Sequence, residues 1–438
     1  MKQLFQFLFG LLLFAGIELS AQQVPTPAPA QTKSVLILNA TAHIGNGQVM
    51  ENCALGFRDG KIDMVADARL IRLSDGAYDT TIYADGMHVY PGFIATNSTL
   101  GLLEIDAARP TNDMAETGTF KPSMRTAIAY NTDSEIIPTV RSNGVLMAQI
   151  TPRGGIISGT SSVMQLDAWN WEDALIREDD GVHLNWPQVY HKHNDKGKVS
   201  IEKVKTYDQQ LREIQLFFSE AAAYCKDQKP AIQEVRFEAV RGVIDGKQTL
   251  YVHAQDVKSI IEAIHFKKDN SIAKMVIVGG YDAWMIPDML KENGIAVMIR
   301  KIHEVPLRKD EDVDLPFKIP SLLYKAGITF CIQNECEMER TDLRNLPFQA
   351  GTAVAHGLPY EEAIRALTLS PAQMLGIDAR CGSLETGKDA TLFLSKGDAL
   401  DMTTNNVVHA FIQGRDIDLS SKQTELYEKY KKKYDEKK

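Results

Sequence analysis

His253 stands in "TLYVHAQD" (249–256), two residues beyond the apolar pair Tyr251-Val252. An imidazole at the end of a buried strand can ligate a metal ion or move a proton near neutral pH. Other polar side chains occupy the same kind of position. Asn97 and Thr99 close "YPGFIATNST", where the apolar run Val89 to Ile94 is broken by Pro91-Gly92. Tyr281 and Asp282 follow "KMVIVGG", and Asn334 and Glu335 follow "GITFCIQ"; Glu104, Asp256 and Glu337 lie close by in sequence. Two chemistries suit this set. A carboxylate-rich group takes a hard cation such as calcium or magnesium. Alternatively His253 pairs with Asp282 or Glu335 for acid–base work without a metal, and Asn97, Thr99, Tyr281 and Asn334 contact the substrate. The plain alternative for any one of them is a solvent-facing loop residue.

Positioning these groups requires strands of a particular kind. Short apolar runs at 144–150, 161–167, 249–254, 274–280, 295–299 and 327–332 alternate with amphipathic stretches such as Ile201 to Cys225. Buried runs alternating with helices predict βα units around a parallel sheet. With "YPGFIA" they make seven strands, and an α/β (β/α)8 TIM-like barrel over 91–381 is the expected closure. Its fourth strand falls between Trp169 and Thr249 at no assignable place. Residues 34–90 read differently: short strands punctuated by Asp-Gly at 59–60, 75–76 and 85–86. Residues 382–419 share that texture, so the two segments are expected to form one small β-sandwich domain. Residues 420–438 predict a charged, solvated helix that carries Tyr427, Tyr430 and Tyr434.

The N-terminus predicts a signal peptide over 1–21. Lys2 precedes an apolar stretch from Leu4 to Ile17, with Ser20-Ala21 before the cut. That stretch is shorter than the about 20 residues a bilayer span needs. The expectation is a periplasmic or secreted protein that is not integral to a membrane after cleavage. Residues 22–33 are a Pro/Ala/Gln linker. A formal net charge of −9 argues against nucleic acid as partner. A small-molecule ligand is expected, and an oligomer is compatible with the sequence. Five cysteines with wide spacing give no zinc pattern and read as core or loop thiols, although Cys331 and Cys336 are near enough to pair.

Three further motifs have two readings each. His191 and His193 in "VYHKHND" form a His-x-His, but after Pro187 and before "NDKGK" they read as an exposed loop. Arg153 in "TPRGGIISG" suits an anion or a tight turn, and the spacing favours the turn. Trp169, Trp171 and Trp186 either line a pocket or pack a loop onto the barrel.

"DGMHVYPGFIATNSTLGL", "LTLSPAQMLGI" (367–377) and "GSLETGKDATLFL" together resemble the amidohydrolase superfamily, imidazolonepropionase-like branch, over about 34–419. The resemblance implies a barrel that hydrolyses non-peptide C–N bonds in cyclic amides or similar molecules. It also implies a divalent metal, zinc, held by His-x-His after the first strand, a carboxylated Lys after the fourth, His after the fifth and sixth, and Asp after the eighth. At those positions this sequence has Asn97 and Thr99, no assignable Lys, His253, Gly279-Gly280, and Gln333 or Asn334. Only His253 matches, so a weak or absent zinc site is expected, with a non-catalytic ligand- or partner-binding barrel as the alternative to a hydrolase.

Overall fold

The computed structural model describes residues 26–436 apart from 75, 196, 197 and 337, and not the side chains of 191–201. The leader, the start of the linker and Glu337 lie outside the described residues, as do the side chains of His191 and His193.

The chain opens with β1 (Val35–His43), β2 (Val49–Arg58), β3 (Lys61–Asp67), β4 (Thr80–Tyr83) and β5 (His88–Pro91). The barrel strands follow: β6 (Phe93–Ser98), β7 (Val145–Ile150), β8 (Ile157–Gln165) and β9 (Leu175–Asn185). After a two-stranded hairpin, β10 (Tyr190–Asp195) with β11 (Lys198–Lys203), come β12 (Thr249–Ala254), β13 (Met275–Gly279), β14 (Ala296–Ile299) and β15 (Phe330–Ile332). The chain closes with β16 (Leu392–Ser395), β17 (Val407–Ile412) and β18 (Arg415–Asp416). His191 and His193 therefore lie on a hairpin strand rather than in the loop expected for them.

Both ends of the chain share one eight-stranded sheet, in the order β18-β17-β16-β5-β1-β2-β3 with β4 also paired to β1. The joint is antiparallel pairing of β5 with β16, Pro91 opposite Leu392 through His88 opposite Ser395. Apolar side chains from both segments, including Ile37, Leu55, Phe57, Leu394 and Phe411, form its core. Asp389, in the exit motif "GSLETGKDATLFL", is buried between Lys61 and Arg380 and ties the two segments together again.

The second sheet has eight strands in the order β15-β14-β13-β12-β9-β8-β7-β6. Its first and last strands meet through side chains: Asn97 Nδ2 donates to Gln333 Oε1 at 2.9 Å, and Thr96 Oγ1 lies 3.5 Å from Cys331 Sγ. Inside, Ile94, Met147, Val163, Tyr251, Val278, Met298 and Cys331 fill the barrel, and Met374 and Leu375 close it from below. The five cysteines are free thiols.

The barrel departs from the expected all-parallel sheet at one strand. β8 runs antiparallel to both β7 and β9. The link between β7 and β8 is residues 151–156, too short for a crossover helix, so the chain must turn back as a hairpin. Gly154 and Gly155 take φ of +79° and +73° there, and a Cβ on Gly155 would meet the Thr119 carbonyl at 2.7 Å. The hairpin tip therefore sits at the carboxyl-end mouth, carrying Arg153. β9 is the fourth strand that the sequence did not place.

Candidate functional site

At the end of β6 the pairing with β7 slips between Ala95 and Ser98, and Asn97 takes φ of +54°. Asn is one of the few side chains that tolerates this left-handed conformation. The bulge turns Asn97 into the mouth, where it is fully buried. Its backbone N–H donates to Gln149 Oε1 at 3.0 Å, and its amide donates to Gln333. From the hairpin tip, Arg153 Nη1 donates to Asn97 Oδ1 at 2.8 Å and Nη2 to the Asn97 carbonyl at 2.7 Å. A guanidinium, charged at every physiological pH, is thus planted across the first strand end.

That cation reaches the other groups of the mouth. Burial raises the Glu335 carboxyl, but Arg153 and then His253 outweigh it and hold the group below the usual range. Burial pushes His253 down to about 4, with Glu335 opposing and Arg153 adding to the depression. His253 is therefore a neutral imidazole at pH 7.

Behind His253 runs a buried chain of hydrogen bonds. His183 Nδ1 lies 2.9 Å from His253 Nε2, and His183 Nε2 lies 2.9 Å from Ser161 Oγ. Ser161 donates to Asp180 Oδ1 at 2.7 Å. Asp180 Oδ2 accepts from Tyr251 OH at 2.6 Å and from Gln149 Nε2 at 2.9 Å. The direction follows from chemistry. With the Ser161 proton on Asp180, Ser161 accepts from His183 Nε2–H, and His183 Nδ1 accepts from His253 Nε2–H. His253 Nδ1 is left as a bare acceptor toward the mouth. Burial, with the neighbouring His253 and Arg153 adding, keeps His183 neutral too.

Local sequence explains this seating. Asp179 takes φ of +49° on the strand beside a slip of the β8–β9 register, which turns Asp180 inward. Gly181 is required because a Cβ would come 2.4 Å from the Tyr251 ring. The same ring stacks on His183 at 4.7 Å between centroids.

The other sequence-derived candidates are held elsewhere. Thr99 donates through N and Oγ1 to Glu339 Oε2, both at 2.9 Å, and Asn334 donates to the Glu339 carbonyl. Asp282 is clamped by both terminal nitrogens of Arg308, at 2.6 and 2.9 Å. Tyr281 donates to Glu311, which also faces Arg308. Asp256 caps the helix Val257–Asp269 by accepting from Ser259 N. Glu104 accepts from Asn131 and Ser134. Trp186 packs outside the barrel against Phe266 and donates to Glu262, while Trp169 is exposed.

Gly279, at the end of β13, takes φ of +95°, and the Gln255 amide fills the space a side chain would need, 2.1 Å from a Cβ built there. Gly279→His therefore has to displace Gln255 and strain the backbone. The expected cost is about 2 kcal/mol of unfolding free energy, read by urea titration against wild type. A neutral result would mean that Gln255 is not fixed there.

Among the described residues, no group of three or more His, Cys, Asp or Glu side chains is placed to hold a metal ion. The polar groups at the mouth are one bare imidazole nitrogen, Glu335, the side-chain amides of Asn97, Gln149 and Gln333, and a guanidinium. This set does not fit a zinc ion, which takes nitrogen, sulfur and carboxylate ligands, usually three from protein at a catalytic site.

Residues 326–417 match the amidohydrolase family. The fold is that of an amidohydrolase from Thermotoga maritima MSB8, with TM-score 0.75, 22% identity, and coverage of 88% of this chain and 99% of that one. The family match is confined to residues 326–417, and the likeness to that solved structure is one of fold. Molinate hydrolase shares the fold at TM-score 0.52 and 14% identity, covering 88% of this chain and 95% of its own. So does phenylurea hydrolase B, at TM-score 0.51 and 14% identity, covering 88% and 97%. No curated protein matches the chain. Within this barrel the mouth comprises Asn97, Gln149, Arg153, His183, His253, Gln333 and Glu335. Of these, Asn97, His253 and Glu335 are candidates from the sequence, and Gln333 stands with Asn334 at the eighth-strand position; in the sequence Arg153 reads as a turn residue, and His183 falls where no strand is assignable.

Proposed function

We propose that this is an exported amidohydrolase-superfamily protein of the imidazolonepropionase-like branch. Its barrel mouth binds a small molecule carrying a carbonyl–nitrogen group without running divalent-metal hydrolysis. The observation that carries this reading is Arg153 seated on Asn97. A fixed cation beside His253 and Glu335 repels a dication, yet it can hold a polarised carbonyl or a carboxylate. His253 Nδ1 and Glu335 supply acceptors for the N–H side of the same molecule. Hydrolases of related bonds among proteins of this fold support the ligand class. The leader, with its basic start, short apolar core and Ser20-Ala21, supports export. Among the described residues no helix is long and apolar enough to cross a membrane.

The test is elemental analysis after zinc loading and dialysis against a mild chelator. Wild type should retain little zinc. Arg153→Ala, which removes the cation but leaves His253 and Glu335, should retain more. Near-stoichiometric zinc in wild type that is lost in His253→Ala would overturn the reading and favour metal-dependent hydrolysis. Equal retention by both would mark adventitious sites such as His191 and His193.

A further inference from the structure

The face of the barrel opposite the mouth holds a cavity of about 460 Å3 at the amino ends of β12 to β15. Its floor is apolar, with Met275, Val276, Ile295 and Met374 all buried, and its rim is polar and exposed at Lys274, Lys291 and Thr329. Three cations stand around it, Arg177, Lys274 and Lys291, and its lining contains no Asp or Glu. That is unexpected in a chain with 57 acidic and 48 basic residues.

Of the three, Arg177 feels the buried Asp180 carboxyl. Lys274 and Lys291 have no ion-pair partner among the described residues. Arg177 donates only to backbone carbonyls, through Nη1 to Leu375 at 2.6 Å and Nη2 to Lys247 at 3.2 Å. Those two bonds fix the guanidinium at the cavity edge. Gly376 makes room for it, since a Cβ there would sit 1.7 Å from Nη1. Gly327, with φ of +72°, lets the Lys291 ammonium lie over the turn, 3.6 Å from where a Cβ would be. Two unpaired lysines at the rim of a cavity with an apolar floor suit one ligand chemistry, an anionic head on a compact apolar body.

We propose that this cavity is a binding site for a small amphipathic anion, an aromatic or alicyclic carboxylate or sulfonate, separate from the barrel mouth. Its evidence is independent of the reading of the mouth.

The probe is 2-naphthoate, titrated calorimetrically into the full chain. One saturable site is expected. The double variant Lys274→Glu/Lys291→Glu should weaken binding on the order of tenfold or more. Thr329→Trp, which fills the cavity from its exposed rim, should weaken it without changing charge. Lys267→Glu/Lys268→Glu, the same charge change on the helix Val257–Asp269, should leave it unaltered, as should Arg153→Gln at the mouth. The neutral analogue 2-naphthalenemethanol should bind more weakly than 2-naphthoate. Circular dichroism confirms that each variant is folded. Binding that survives both the double variant and Thr329→Trp, binding abolished by Arg153→Gln instead, or no saturable binding at all overturns the proposal.

Discussion

Asp180→Ala should lower the unfolding free energy by about 3–5 kcal/mol. The carboxylate is fully buried and accepts from Ser161, Tyr251 and Gln149. Alanine removes the short acceptor of three buried donors and adds a small void; what remains are longer contacts, Ser161 to the Gly181 carbonyl and Tyr251 to the Met374 carbonyl at 3.3 Å and Gln149 to Ser161 at 3.2 Å. Asp180→Asn keeps the shape and one acceptor oxygen but turns an N–H2 toward donors, so its loss should be smaller though still above about 1 kcal/mol. Urea titrations followed by far-ultraviolet circular dichroism measure both. A loss under about 1 kcal/mol for Asp180→Ala would show that the chain from Asp180 to His253 adds little to the fold.

Mild acid should also weaken the protein more than a typical surface would allow. His253 titrates at about 4 in the folded protein, against about 6.5 when unfolded. As pH falls through about 6.5, the unfolded chain takes up a proton that the folded state refuses. The stability from the neutral ring is thus present above about pH 6.5 and drains away toward about pH 4, by at most about 3 kcal/mol for His253. His183, depressed further, carries the loss in the same direction. His253→Gln should flatten the curve between about pH 7 and about pH 4. Equal slopes in variant and wild type would mean that His253 is protonated in the folded state.

The sequence made the scaffold readable where burial is symmetric along a strand. "TLYV" and "MVIVG" announce themselves because every residue is buried. β9 does not. Its first half, "LIRED", carries charges that pair outside the barrel, Glu178 and Asp179 with Arg125, and only "DGVHLN" enters the core. Its alternation is too short to separate from a loop, so His183 and Asp180 went unseen. Arg153 was visible as a residue but not as a contact, because its role depends on β8 turning back. That reversal is set by the length of residues 151–156, the one signal that was available. Asp282 and Tyr281 show the converse: residues of the right type at a strand end, spent on Arg308 and Glu311, which come from a loop almost 30 positions later.

The sheet shared by the chain's two ends has a consequence for how the molecule is made. β5 finds β16 only after some 300 intervening residues exist. During synthesis, β1 to β5 therefore wait with an open, hydrogen-bonding edge that resembles an aggregation template. The β7–β8–β9 meander, joined by short local connections, can assemble early while that edge is still unpaired. If the chain crosses a membrane as an unfolded thread, this late closure places completion of the fold on the far side, after the final strand has arrived.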